Sequence, residues 1–134
     1  MAIAHADDRL LVTNSASNSV SVVDTRSFRE LSQVPVCEEP VDVVTSRYAG
    51  AELAYVACSA GGAVDVINVD RLEKIQRIAV GQSPFGIAVH PNGDRVYVCV
   101  GGSNRLVVLE AGRPSRVLRY IKLDGDPMQL AVAP

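Results

Sequence analysis

The 134-residue chain contains no tryptophan, only two phenylalanines and four tyrosines, and only three cysteines. It has no apolar run near the roughly 20 residues that a membrane helix requires, so no membrane span is expected. Charge of one sign is also lacking: 13 lysines and arginines stand against 15 aspartates and glutamates, a formal charge of -2. With no basic stripe, nucleic acid is not an expected partner. Cys37, Cys58 and Cys99 are an odd set without CxxC spacing. That argues against a disulfide framework or a structural zinc and fits a reducing compartment. The opening "MAIAHADDRLLVTN" has no basic n-region and no long apolar h-region, so it does not read as a signal peptide. A cytoplasmic location is the default expectation.

Helix signals are scarce as well. Only "VDRLEKIQRIAV" spaces Leu72, Ile75 and Ile78 by three. What the chain does contain is short β-branched runs, among them "VSVV", "VDVINV", "VYVCV" and "LVVL", with breaks of Gly, Pro, Asn or Ser. This is the pattern of many short strands.

The runs recur. Pro40, Pro84 and Pro127 lie 44 and 43 residues apart, followed by "VDVVT", "FGIAV" and "MQLAV". "LLVTN", "AYVAC" and "VYVCV" correspond, as do "VSVVD", "VDVIN" and "LVVLE", and the units close with "LSQVPVCEEP", "IQRIAVGQSP" and "LRYIKLDGDP". The interval from Asn14 to Val20, Cys58 to Val64 and Val100 to Leu106 is six each time. Length changes fall in "SRYAGAE" and near "AGRPS", as expected where insertions are confined to loops of a repeated unit. The last series also places "VDRLEKIQRIAV" beside strand-like counterparts, so its helix reading fails.

Each unit therefore holds four strands, A to D: "FGIAV", "RVYVCV", "RLVVLE" and "RYIKL" in the third. The turn "HPNGD" joins A to B, with Pro91 fixing φ and Gly93 supplying a left-handed conformation. Runs apolar on both faces suit a sheet between two other sheets. Four antiparallel strands every ~42 residues predict an all-β chain of β-propeller blades. The units run about 1–40, 41–84 and 85–127, with a terminal strand over 128–134.

"PFGIAVHPNGDRVYVCV", "VTNSASNSVSVVD" and "IAVGQSP" together resemble the YVTN-type 40-residue β-propeller repeat family, over essentially the whole chain as three units. The motif's Asn survives as Asn14 and is replaced by Cys58 and Val100, and its VGxxP ending is whole only at Gly81. The Gly-His and Trp-Asp signatures of WD40 propellers are missing. The resemblance implies a propeller scaffold often placed at the cell envelope or surface, which keeps that location open if the chain is a fragment. Some relatives bind haem or hydrolyse lactones.

Propellers commonly have about 4–8 blades. Three units leave two sheet faces uncovered, lined by residues such as Val64, Val66, Val107 and Leu109, an exposure poorly tolerated by a soluble monomer. The expected partner is another copy, giving six blades, or a chain supplying further blades. The terminal "MQLAVAP" is a candidate for strand exchange, with "MAIAH" as its competitor for the strand A position.

The Gly-rich stretches "SAGGA" and "VGGSN" follow strands but lack the P-loop and dinucleotide motifs, and a strand rather than a helix comes next. They are read as B–C hairpin turns in which Gly61, Gly62, Asn18 and Asn104 supply positive φ. His5 and His90, near A–B turns, are the only candidates for general base or haem ligand. His90 is read as an exposed turn residue. Glu38, Glu39, Asp124 and Asp126, with Gln82 and Ser83, occupy D–A connections, and Asp42 follows Pro40 by two. In propellers these connections share one face with the B–C turns, so the acids are candidates for binding a divalent cation, a cationic ligand or a basic partner loop. A solvated acidic rim is the alternative. Cys58 and Cys99 differ in register by one and so point to opposite faces, which argues against pairing between them. Both are expected buried, and Cys37 partly exposed. Tyr55 and Tyr97 recur at one motif position and are read as blade-to-blade packing. No acid–nucleophile pair is set by spacing, and no cofactor or metal is expected. The function expected is a non-catalytic interaction or ligand-binding scaffold, with a lactonase-like hydrolase or a haem-binding propeller as the other reading.

Overall fold

The computed structural model of the protein describes residues 2–3, 8–48, 50–125, 127 and 130–133. His5 and Asp126 lie outside the described residues, as do 128, 129 and 134 of the expected terminal strand; 130–133 carry no strand.

Among the described residues, twelve strands form three four-stranded antiparallel sheets, each ordered as it runs in the chain. The first contains β1 (Ala2–Ile3), β2 (Arg9–Asn14), β3 (Ser19–Asp24) and β4 (Glu30–Pro35). The second contains β5 (Pro40–Tyr48), β6 (Ala51–Cys58), β7 (Ala63–Asn68) and β8 (Glu73–Ala79). The third contains β9 (Pro84–Val89), β10 (Arg95–Val100), β11 (Arg105–Glu110) and β12 (Arg116–Lys122). The segment with helical spacing is strand β8, as its counterparts require. In the first sheet the chain's own β1 fills the strand A position, pairing Ala2 with Leu11 and Ile3 with Leu10. The fourth strand of every sheet carries a β-bulge, opposite Val22/Val23, Val66/Ile67 and Val108/Leu109. The extra residues, Leu31, Ile75 and Leu118, are the apolar side chains left exposed there, as an unpaired bulge position allows.

The core lies between sheets. Leu11, Val20, Val22 and Val34 of the first sheet meet Val43, Ala54, Val56 and Ile67 of the second. On its other face, Leu53, Tyr55, Val64, Val66 and Ile78 meet Val96, Val98, Val107 and Leu109 of the third, so Val64, Val66, Val107 and Leu109 are buried inside this joint and do not line an uncovered face as expected. Side chains alternate between faces along a strand, so a strand that is apolar at every position can serve two neighbours at once. All six side chains of β7, "AVDVIN", are buried. Its Asp65 is tolerated because its carboxylate accepts Nε–H and Nη2–H of Arg77 at 2.8 and 3.1 Å and the backbone N–H of Cys37 at 2.8 Å, satisfying a charge that burial alone would penalise.

Contrary to the expectation from their spacing, two of the three cysteines are paired. Cys37 and Cys58 form a disulfide, with a Cα–Cα distance of 5.7 Å, and Cys37 is buried, not partly exposed. Cys37 follows the last strand of sheet one and Cys58 ends the second strand of sheet two, so the pair is created by stacking the sheets. Comparing positions within single units misses it. The bridge removes the cysteine-based ground for expecting a reducing compartment. Cys58 and Cys99 are both buried, and Cys99 is free.

The turns follow the expected chemistry with one correction. Asn18, Gly62, Asn104 and Gly93 have φ of 52°, 61°, 49° and 81°, but Gly61 does not have positive φ. Glycine is needed there for close approach: a Cβ at Gly61 would lie 3.0 Å from the Glu38 backbone nitrogen and 3.1 Å from the Cys37 Cβ. The "SAGGA" turn is thus pressed against the connection entering its own sheet.

Tyr55 is fully buried between sheets two and three, its hydroxyl 2.7 Å from Ser115 Oγ. Gln76 clasps the Ser115 backbone from both sides, its Nε2–H donating to the carbonyl at 2.6 Å and its Oε1 accepting the N–H at 2.8 Å. Burial pushes the Tyr55 hydroxyl above the ordinary tyrosine range, and the hydrogen bond to Ser115 opposes this in part. Since the folded pKa is raised, this contribution to stability is complete below the unfolded value, about pH 10, and is lost as pH rises through the folded value. Tyr55→Phe is expected to cost about 1 kcal/mol near neutral pH and to abolish that alkaline decline. Urea titrations of both proteins between neutral pH and about pH 11 test this: parallel stability curves would contradict it.

Candidate functional site

The first strands of the three sheets are neighbours, β5 lying beside both β1 and β9. The connections from the fourth strand of one sheet to the first of the next therefore gather at one rim, together with the turns joining second and third strands. Hydrogen bonds fix this arrangement. In the first connection, Val36 N–H donates to Asn18 O at 3.0 Å and Glu39 N–H to Asn18 Oδ1 at 2.9 Å. From the following sheet, Ser59 N–H donates to Glu39 O at 2.8 Å and Gly61 N–H to Glu38 O at 3.0 Å. The second connection repeats the scheme. Val80 N–H donates to Gly62 O at 3.1 Å, while Gly101 and Gly102 N–H donate to Ser83 O and Gln82 O, both at 3.0 Å. The third begins likewise, with Leu123 N–H donating to Asn104 O at 2.8 Å. Each connection is held between the turn behind it and, where a further sheet follows, the turn ahead.

The rim residues differ in how free they are. Glu38, Gln82 and Asp124 are exposed. Glu39 is exposed too, but its carboxylate accepts the Ser59 hydroxyl at 2.7 Å. Glu39 and Ser83, each directly before a proline, adopt φ of 59° and 56°. Left-handed backbone at a non-glycine residue is costly, and the hydrogen bonds from both flanking turns hold it. Asp42 is placed differently from the rest. It is half-buried, its Oδ1 accepting Val43 N–H at 2.9 Å and its Oδ2 accepting Ile87 N–H at 3.3 Å, so that it ties sheet two to sheet three. Among the described residues no group of three or more His, Cys, Asp or Glu is arranged to hold a metal ion.

His90 lies at the opposite rim. Its Nδ1 stands 2.9 Å from Asn92 Oδ1 and 3.9 Å from the Asp94 carboxylate, and its ring packs 6.5 Å from that of Tyr97. The same turn borders a hollow of about 370 Å³ with Ile3, Thr45 and Val89. A second feature there escapes sequence reasoning: Asp8, Arg9, Arg47, Glu52 and Asp70 line a concavity of about 150 Å³, and Arg9 donates to the Val69 carbonyl. Its members come from segments some 60 residues apart, so no local spacing marks them.

No family model matches the sequence, and no curated protein matches it. Solved structures do resemble it. Hydrazine synthase of Kuenenia stuttgartiensis superposes with a TM-score of 0.86 at 27% identity, over 96% of this chain and 36% of that one. Apo AztD from Citrobacter koseri gives a TM-score of 0.72 at 20% identity, over 90% and 34%. A putative 6-phosphogluconolactonase from Bacteroides fragilis gives 0.78 at 17% identity, over 95% and 39%. The chain thus spans little more than a third of the length of these structures. With their likeness, the three sheets are β-propeller blades and the chain is a partial propeller.

Proposed function

We propose that this chain is a set of YVTN-type propeller blades acting as a non-catalytic binding scaffold, with the rim of sheet connections as its contact surface. One observation carries the reading. Backbone hydrogen bonds from the turns on both sides anchor the first two connections, so Glu38 and Gln82 project from a fixed platform, and Asp124 follows Leu123, whose N–H is held by Asn104 O. Fixed exposed carboxylates attract a cationic ligand or a basic loop at little ordering cost. Glu39 and Ser83 belong to the same surface by their place in the connections, and Asp42 supports it from below.

The test is binding of a lysine-rich peptide at low salt, followed by fluorescence anisotropy, to the wild type and to Glu38→Gln/Asp124→Asn. The double variant is expected to bind about tenfold more weakly, in line with the loss of about 1.4 kcal/mol. Undiminished binding would remove the rim from consideration. The other reading, a lactonase-like hydrolase or haem-binding propeller, is supported by fold likeness alone, and one fold hosts many activities. An intense haem absorption band in the purified protein, or lactone hydrolysis by it, would favour that reading instead.

A further inference from the structure

We propose that the hollow between the β7–β8 turn and the β11–β12 turn binds a carboxylate carrying a short apolar body. This site is separate from the rim of connections and goes beyond the scaffold reading. The hollow measures about 380 Å³, within the range of small-molecule sites. Its walls belong to sheets two and three, which are already stacked on each other, so it does not depend on what covers the outer faces. One wall is the turn after β7 with the start of β8, and the other is the turn over 112–115, near the length change of the third unit. That second turn is firmly held. Ser115 is buried, gripped by Gln76 from both sides, and its hydroxyl donates to Gly112 O at 2.7 Å. In sheet one Ser32 occupies the place of Gln76, and a serine is too short for such a clasp.

Three donor-bearing side chains border the hollow: Asn68, Arg71 and Arg113. Asn68 is only 7% exposed. Its Oδ1 accepts the Arg71 N–H at 3.1 Å, which fixes the amide and leaves Nδ2–H without a hydrogen bond among the described residues. A buried donor of this kind calls for an acceptor. The repeat makes Asn68 the exception, because Asp24 and Glu110 stand at its position in the other two sheets. Only beside this hollow is the carboxylate replaced by a donor. Arg113 is exposed and makes no ion pair or hydrogen bond among the described residues. Arg71 stands 3.8 Å from Glu73, the one acid of the lining. Two guanidiniums against one carboxylate leave the hollow positive, and a planar guanidinium matches a carboxylate in shape as well as charge. Ile75 and Pro114 supply the apolar surface. Ile75 is the bulge residue, 38% exposed, and a hydrocarbon laid on it is removed from water together with it.

The experiment is titration of the nitrogen-15-labelled chain with isovalerate, its neutral amide isovaleramide and inorganic phosphate, followed by two-dimensional amide NMR. Isovalerate is expected to saturate with a dissociation constant of about a millimolar, and isovaleramide to bind at least about tenfold more weakly. The Asn68 side-chain amide and the backbone signals of Arg71, Gln76 and Arg113 should move most. Arg113→Gln and Asn68→Asp are each expected to weaken binding about tenfold, while Arg119→Gln, at an exposed arginine outside the hollow, leaves it unchanged. The Asn68→Asp side chain can still accept the Arg71 N–H, as Asp24 accepts that of Arg26 at 2.9 Å, and unshifted signals elsewhere check that the fold is kept. A tripeptide ending in leucine, as free acid and as amide, separates the sources. Tighter binding of the peptide acid than of isovalerate assigns the carboxylate to the end of a partner chain, and the reverse order assigns it to a free small acid. No saturation by either acid, equal binding of acid and amide, tighter binding of phosphate, or indifference to both hollow substitutions would overturn the proposal.

Discussion

Replacing Cys37 and Cys58 together by alanine is expected to lower stability by about 2–4 kcal/mol, the usual worth of a disulfide closing a loop of this length. The bridge joins residues 21 apart in sequence and crosses the joint between sheets one and two. Without it, the unfolded chain regains the freedom of that loop and the joint relies on apolar contact alone. Urea unfolding of the wild type with and without dithiothreitol gives the same comparison without mutation, and equal midpoints would contradict the bridge. Thiol counting provides an independent check. Under non-reducing denaturation one thiol per chain is expected, that of Cys99, rising to three after reduction. In the native protein Cys99 should react slowly, because burial pushes its thiol pKa up and so suppresses the thiolate.

Leu109→Ala acts at the other joint, with an expected cost of about 2–5 kcal/mol. Leu109 is fully buried in the cluster shared by sheets two and three, where both surfaces are β-sheet and have little freedom to collapse into a cavity. Stacked repeats touch only their neighbours, so the damage should be local. Amide exchange is expected to accelerate in β6, β7, β10 and β11, while β2 and β3 stay comparatively protected behind the disulfide. A uniform loss of protection across all three sheets would instead mean that the blades unfold as one unit. The cysteine variant should show the reverse distribution, with sheet one loosened first.

Much of the fold was legible from spacing. The second and third strands of sheet three fall where "RVYVCV" and "RLVVLE" lie, because clean alternation and Gly- or Asn-bearing turns bracket them. The fourth strand was read too short, as "RYIKL", whereas it runs from Arg116 to Lys122; the bulge at Leu118 breaks the alternation that would have revealed its start. The rim was legible as a set of connections, because repeats place equivalent loops on one face. The role of Asp42 was not, since its second partner is the N–H of Ile87, 45 residues away in the next sheet. Gly61 looked like a turn residue of the same kind as Gly62, and only the approach of the Cys37–Glu38 backbone distinguishes the two.

The sequence by itself determined the repeat, its three units, most strand limits and the residues that can turn the chain. These depend on local preferences and on a period, and both are written along one strand at a time. Tertiary structure alone decided which cysteines pair, which carboxylates are tied to backbone, and which apolar rows are covered. Each of those depends on how one twisted sheet stacks on the next, bringing together residues that are tens of positions apart and carry no shared local signal.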